Sequence, residues 1–348
     1  MIEIRELYKY YGEHRALGPL SAEIDKGEIV GLLGVNGAGK TTALRILACD
    51  LLPSGGSVRV DGIDVVERPD AVRERIGYLP DVPPLYGDMR VGEYLAYAAR
   101  LRGVDSKDVG RRVRAVEELT VLTERHEDPI STLSHGFQQR CGIAQAIIHE
   151  PKLVVLDEPI SGLDPVQIVE MRQLVRALGG AHTVIVSSHI LSEISETCDR
   201  ILVIKDGEIV ASGTEKELSS RLLEGTRVRV TLRAPGAPAS AAPGRAKTVL
   251  AGIAGVTGVE SAECAEPGDD VVSFLVEAKS DVRPELVRAV VGAGLELLEL
   301  GTRQHELESV FLRLAGASKK NGNAAAKPEK GGAEPEAGGE EPSNGGAS

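Results

Sequence analysis

The sequence predicts an α/β domain with a largely parallel core, followed by a smaller α+β domain. Three observations carry this. Residues 28–33, 152–156 and 183–187 are short runs rich in Val, Ile and Leu that read as buried strands, and amphipathic stretches alternate with such runs up to about residue 220. Glycines or helix-capping residues follow each run, as strand-to-helix turns require. Lys205-Asp206-Gly207-Glu208 lies between ILVI and IVAS, and Asp-Gly between two apolar runs signals a tight hairpin. That hairpin closes the first domain, with residues 214–223 as its last helix.

From Arg227 the texture changes. RVRVTLR reads as a strand, and the Pro/Ala/Gly stretch 234–246 as a loop. A short helix at 248–254 comes next, then strands near 256–262 and 271–277. A helix at 283–293, a strand at 295–300 and a helix at 306–315 complete the series. The order β-α-β-β-α-β is that of a ferredoxin-like domain with one extra helix. Residues 318–348 hold Gly, Ala, Pro, Glu and Lys without a large apolar side chain, a composition that cannot offset its own ordering entropy and predicts a disordered tail. The expected boundaries are 1–224, 225–316 and 317–348.

Composition narrows the function. The formal net charge is −12, there is no Trp, and aromatic residues make up 3 % of the chain, a poor profile for a generic nucleic-acid binder. Cys49, Cys141, Cys198 and Cys264 lie far apart, with no CxxC pair and no spacing suited to a metal, which fits a reducing cytoplasm. The N-terminus is too charged for a signal peptide, and nowhere do about 18 apolar residues run together, so no membrane crossing is expected.

Gly34-Val35-Asn36-Gly37-Ala38-Gly39-Lys40-Thr41 follows the strand EIVGLL and precedes the helical TTALRILA, which begins at Thr41 and Thr42. This is the phosphate-loop pattern G-x-x-x-x-G-K-[ST] in its confirming context. Glycines let the loop curl until its N–H groups point at phosphate oxygens, and the helix start adds partial positive charge. Lys40 would reach the β- and γ-phosphates, and the Thr41 hydroxyl is a hard oxygen ligand for Mg²⁺. A second apolar strand delivers Asp157 and Glu158 to its carboxyl end. There Asp157 can hold Mg²⁺ and Glu158 can orient or deprotonate an attacking water.

Leu133-Ser134-His135-Gly136-Phe137-Gln138-Gln139-Arg140 lies shortly before this strand and opens an amphipathic segment. It resembles the signature of ATP-binding cassette (ABC) proteins in its looser form, LSxGxxQR. Asp157-Glu158-Pro159, Ser161-Gly162-Leu163-Asp164 and His189 then follow in that family's order, and Tyr11 occupies the place of its adenine-stacking aromatic. The resemblance covers about residues 1 to 220. It implies ATP and Mg²⁺ as cofactors and two nucleotide domains facing head to tail. In such a homodimer Ser134 and the Gly136 N–H cradle the γ-phosphate held by the partner. It further implies that His189 contacts the γ-phosphate and that Asp164 belongs to the catalytic D-loop.

Two positions depart from the family pattern. Asp81 stands where most members have a metal-coupling Gln, and in the signature His135 and Phe137 replace a Gly and a Gln. The whole layout resembles ATPase subunits of ABC-2-type exporters. The resemblance therefore implies a cytoplasmic protein that sits on the inner membrane face through a separate transmembrane permease, docked around residues 81–97. The rival reading is a soluble ABC ATPase working on ribosomes or DNA. Such relatives carry two cassettes, coiled coils or zinc modules, none of which is present, and no nucleic-acid partner is expected. A third reading makes 227–315 a regulatory ligand-binding domain.

Overall fold

A computed structural model describes residues 1–222, 226–235, 242–262, 271–278 and 280–302. Its centre is a six-stranded sheet in the order Glu208–Gly213, Arg200–Lys205, Ile29–Leu33, Thr183–Ser188, Leu153–Leu156, Ile76–Leu79. Only the hairpin at the first edge is antiparallel; the remaining pairs are parallel. The three strands expected from composition are buried at every position, because layers cover both sheet faces. Val154 and Leu156 enter one core with the helices Val91–Leu101, Val109–Thr120 and His135–Ile147, while Leu153 and Val155 enter the other. That division is the period of two expected of a strand. The Asp-Gly hairpin is present as predicted, with Asp206 at φ 50° and Gly207 at φ 84°, the left-handed pair that a tight hairpin turn needs.

The second core is closed by an antiparallel sheet that the sequence reading did not contain, in the order His14–Ile24, Ile2–Tyr11, Gly55–Val60, Ile63–Asp64. Ile2, Ile4, Leu7, Leu17 and Leu20 point inward and pack with Leu44, Ile46 and Leu47 of the helix Lys40–Leu47. Register shifts near Leu7 break the alternation along Ile2–Tyr11, which hides the strand from a period-two search.

Two local expectations need correction. The segment after Ser134 is the helix His135–Ile147, and it is not amphipathic: residues 139–144 are buried without a break, as in a helix enclosed on all sides. The helix expected at 248–254 is Ala242–Ala251. Pro243 falls in its first turn, where the missing N–H costs no bond, so it opens the helix instead of extending the loop.

The third sheet runs Val256–Ala262, Val271–Ala278, Thr226–Arg233, Glu296–Thr302, antiparallel throughout, and packs with Ala242–Ala251 and Arg283–Gly292 around Phe274. The predicted helix at 306–315, the tail and Cys264 lie outside the described residues. Among the described residues no helix is long and apolar enough to cross a membrane.

Parallel pairing has one consequence for chemistry. It brings the ends of Ile29–Leu33, Leu153–Leu156, Thr183–Ser188 and Ile76–Leu79 to one edge, where the loops after them carry Lys40, Asp157, His189 and Asp81.

Candidate functional site

That edge holds a cavity of about 530 Å³. Asn36, Gly37, Gly39, Lys40, Thr41 and Thr42 line one side, and Asp81, Glu158, Ser161 and His189 the other, with His14 and Ala16 at the rim. The loop owes its shape to two tight glycines. A Cβ on Gly34 would lie 2.7 Å from the Ile204 carbonyl, and one on Gly39, at φ 103°, would lie 2.7 Å from that of Ala16. Ala38 does not face the cavity; its carbonyl accepts the Gly207 N–H at 3.0 Å and ties the loop to the hairpin.

Charge is concentrated within this cavity. Lys40 is 6 % exposed, and its Nζ donates to the Gly34 carbonyl at 2.8 Å and lies 3.2 Å from Glu158 Oε1. The other Glu158 oxygen, Oε2, is 3.0 Å from His189 Nδ1. Glu158 thus stands between two nitrogen groups, with its backbone at φ 49°, in the left-handed region. A non-glycine residue held there stores of order 1–3 kcal/mol, a strain that collects at functional sites. It is maintained because the Glu158 N–H donates to Ser187 Oγ at 2.9 Å and its carbonyl accepts the Ser161 N–H at 3.1 Å.

Ser187, which the sequence did not single out, also donates its own proton to Asp157 Oδ1 at 2.6 Å. One hydroxyl therefore clamps both carboxylate residues. Asp157 is 1 % exposed, and its second oxygen, Oδ2, is buried with no hydrogen-bond partner. Burial pushes this carboxyl above the ordinary range; Ser187 and the nearby Thr41 oppose the shift, and Glu158 and Asp81 reinforce it.

The folded protein thus holds the Asp157 proton to higher pH than the unfolded chain does. Stability on this account falls as pH rises between the two values, and the cost is fully present above both. Asp157→Asn should consequently raise the melting temperature of the nucleotide-free protein at pH 7 while reducing the further rise on adding Mg²⁺ and ATP. Differential scanning calorimetry measures both, each ~1 kcal/mol being worth about 2–4 °C in a domain of this size. A lower melting temperature for the variant would contradict the reading of Asp157 as a destabilising buried charge.

Seven sequence-predicted residues lie outside the cavity lining: Gly34, Ala38 and Asp157, described above, and Tyr11, Asp164, Ser134 and Gly136. Tyr11 is 47 % exposed beside Lys9, whose Nζ lies 5.4 Å from the ring centre. Its neighbours Tyr8 and Tyr10 are surface residues too, so none of the three is core. Asp164 caps the helix Pro165–Leu178, its Oδ1 accepting N–H groups from Val166 at 3.0 Å and Gln167 at 2.9 Å. Ser134 is the N-cap of His135–Ile147, yet it is exposed and its hydroxyl makes no capping bond. Gly136 is buried, where a Cβ would meet the Gln167 side chain at 2.8 Å.

Comparison with known proteins agrees with this geometry. A match to the ABC transporter family spans residues 17–161. The bacitracin transport ATP-binding protein BcrA of Enterococcus faecalis is 38 % identical over 223 residues, 64 % of this chain and 71 % of that protein. The daunorubicin resistance ATP-binding protein DrrA3 of Streptomyces coeruleorubidus is 33 % identical over 318 residues, 91 % of this chain and 96 % of that one. Among solved structures, a dimeric ATP-binding cassette in a post-hydrolysis state, bound to ADP and Pi, is 25 % identical with a TM-score of 0.57, covering 62 % of this chain and 98 % of its own. The phosphate loop, the strand-end carboxylates and these similarities lead to one assignment: the chain belongs to the ABC transporter ATP-binding proteins and is an ATPase.

Proposed function

We propose that this ATPase dimerises head to tail on ATP and drives a separate transmembrane permease in an ABC-2-type export system. It would sit on the inner face of the membrane through that partner. One observation carries the dimer. The Lys40–Glu158–His189 cluster lines the nucleotide cavity, whereas Ser134 is exposed elsewhere, at the start of a 13-residue helix, with an unused hydroxyl. A helix start of this kind suits an anion, and a second copy would supply one in its own phosphate loop. Similarity to a bacitracin transport and a daunorubicin resistance ATP-binding protein supports export. The match to DrrA3 runs well past residue 224, which supports an accessory ferredoxin-like domain at 225–316 as part of the same working unit.

Within the site, Lys40 and the loop N–H groups bind phosphate, and Glu158 takes the proton of the attacking water. A γ-phosphate entering between them would compete for the Lys40 ammonium and release the carboxylate to act as base. His189 orients the same carboxylate from its other oxygen. Tyr11 is assigned to the adenine, and Asp164 to holding the D-loop, a role its cap on the helix that follows supports.

The donor set fits Mg²⁺. Asp157 Oδ2 is a buried anionic oxygen without a partner, Thr41 lies beside it, and Asp81 and Thr41 line the same cavity. Mg²⁺ takes one or two carboxylates and completes its shell with phosphate and water. Bound there, Mg²⁺ would neutralise charge developing on the phosphate oxygens.

The departure at Asp81 makes this testable. Asp81→Ala should lower Mg²⁺-dependent hydrolysis ~10-fold with metal-free nucleotide binding unchanged, and Asp81→Glu should retain more activity than Asp81→Ala. Steady-state turnover against Mg²⁺ concentration decides. An unchanged curve for Asp81→Ala would return the residue to the surface.

A further inference from the structure

Glu193 is a buried carboxylate that the mechanism above does not use. It lies on the short helix Leu191–Ser195, directly after the His189 turn, and is 4 % exposed. A carboxylate so enclosed is costly unless something holds it. Here the Ser188 hydroxyl donates to Glu193 Oε2 at 2.5 Å. The same hydroxyl accepts the Ile190 N–H at 3.0 Å, and the Ser188 carbonyl accepts the Gly34 N–H at 3.3 Å.

Ser188 therefore joins three things: the first residue of the phosphate loop, the turn that carries His189, and Glu193. A serine hydroxyl has a single proton. With that proton committed to Glu193, its lone pairs face Ile190, and the turn is fixed in the form that sets His189 Nδ1 3.0 Å from Glu158 Oε2. Without an acceptor at 193 the hydroxyl is free to rotate, and the His189 turn loses its local restraint.

We propose that Glu193 is a positioning residue for hydrolysis, holding His189 against Glu158 through the Ser188 hydroxyl. This rests on the functional reading of His189 and adds to it a control point outside the nucleotide cavity. The role needs an acceptor oxygen at 193, not a charge, so the amide of Gln can fill it.

The test is a double-mutant cycle in ATP turnover by the full chain. Glu193→Leu should lower kcat ~10-fold with KM for ATP unchanged. Glu193→Gln should turn over at the wild-type rate. The double variant His189→Ala with Glu193→Leu should be no slower than His189→Ala alone, because Glu193 acts through that imidazole. If Glu193→Leu fails to fold, Ser188→Ala, which deletes one buried hydroxyl, takes its place in the cycle. Wild-type kcat in a folded Glu193→Leu overturns the proposal, as does a double variant slower by the product of both single effects. Wild-type turnover in His189→Ala would instead overturn the functional reading of His189, and the proposal with it.

Discussion

Glu158→Gln is expected to lower ATP turnover ~10²- to 10⁴-fold, the usual contribution of a positioned general base, while ATP binding persists. The substitution keeps the shape of the side chain and removes its capacity to take a proton. Ser187 Oγ would still accept the residue 158 N–H, so the strained backbone should survive. Lys40 loses its carboxylate neighbour at 3.2 Å, which leaves the ammonium more available to phosphate. Thermal stabilisation by Mg²⁺ and ATP should therefore equal or exceed that of the wild type, reaching about 2.7 kcal/mol when ligand is at 100 times its Kd. Turnover and melting temperature measured on the same sample separate the two effects. Near-wild-type turnover would remove Glu158 from its assigned role.

Ser134→Arg should abolish hydrolysis by a different route. The side chain is exposed and makes no cap bond, so the folded monomer should lose no more than ~0.5 kcal/mol. The cavity around Lys40 does not include residue 134, so each monomer should bind ATP with unchanged affinity. A bulky cation at the start of His135–Ile147 would, however, fill the place where the partner's γ-phosphate docks. Turnover should fall ~100-fold or more while equilibrium binding to the monomer is retained. A variant that hydrolyses normally would mean that each chain works alone.

The parts that were legible before the structure share one property: their information is contiguous. Residues 28–33 and 183–187 are short runs rich in Val, Ile and Leu because parallel strands are covered on both faces, and the phosphate loop needs its glycines and lysine at fixed spacing. The N-terminal antiparallel sheet was not legible, since bulges near Leu7 interrupt the alternation that would have marked Ile2–Tyr11. Ser187 was invisible for another reason. It meets Asp157 and Glu158 only because two strands lie side by side, and nothing near residue 187 encodes that pairing. The same holds for Ser188, whose carbonyl meets Gly34 across the sheet. Ser134 and Asp164 were identified by motif alone; the fold adds that one hydroxyl is unused and that the other carboxylate caps a helix.

The central claim is that two copies close on ATP with the phosphate loop of one against Ser134 of the other. Mass in solution, measured by size-exclusion chromatography with light scattering on the Glu158→Gln variant, tests it most directly. That variant should be a monomer without nucleotide and a dimer with Mg²⁺ and ATP, and adding Ser134→Arg should return it to a monomer that still binds ATP. A dimer that persists in the double variant, or a Glu158→Gln variant that stays monomeric at saturating ATP, would contradict the account.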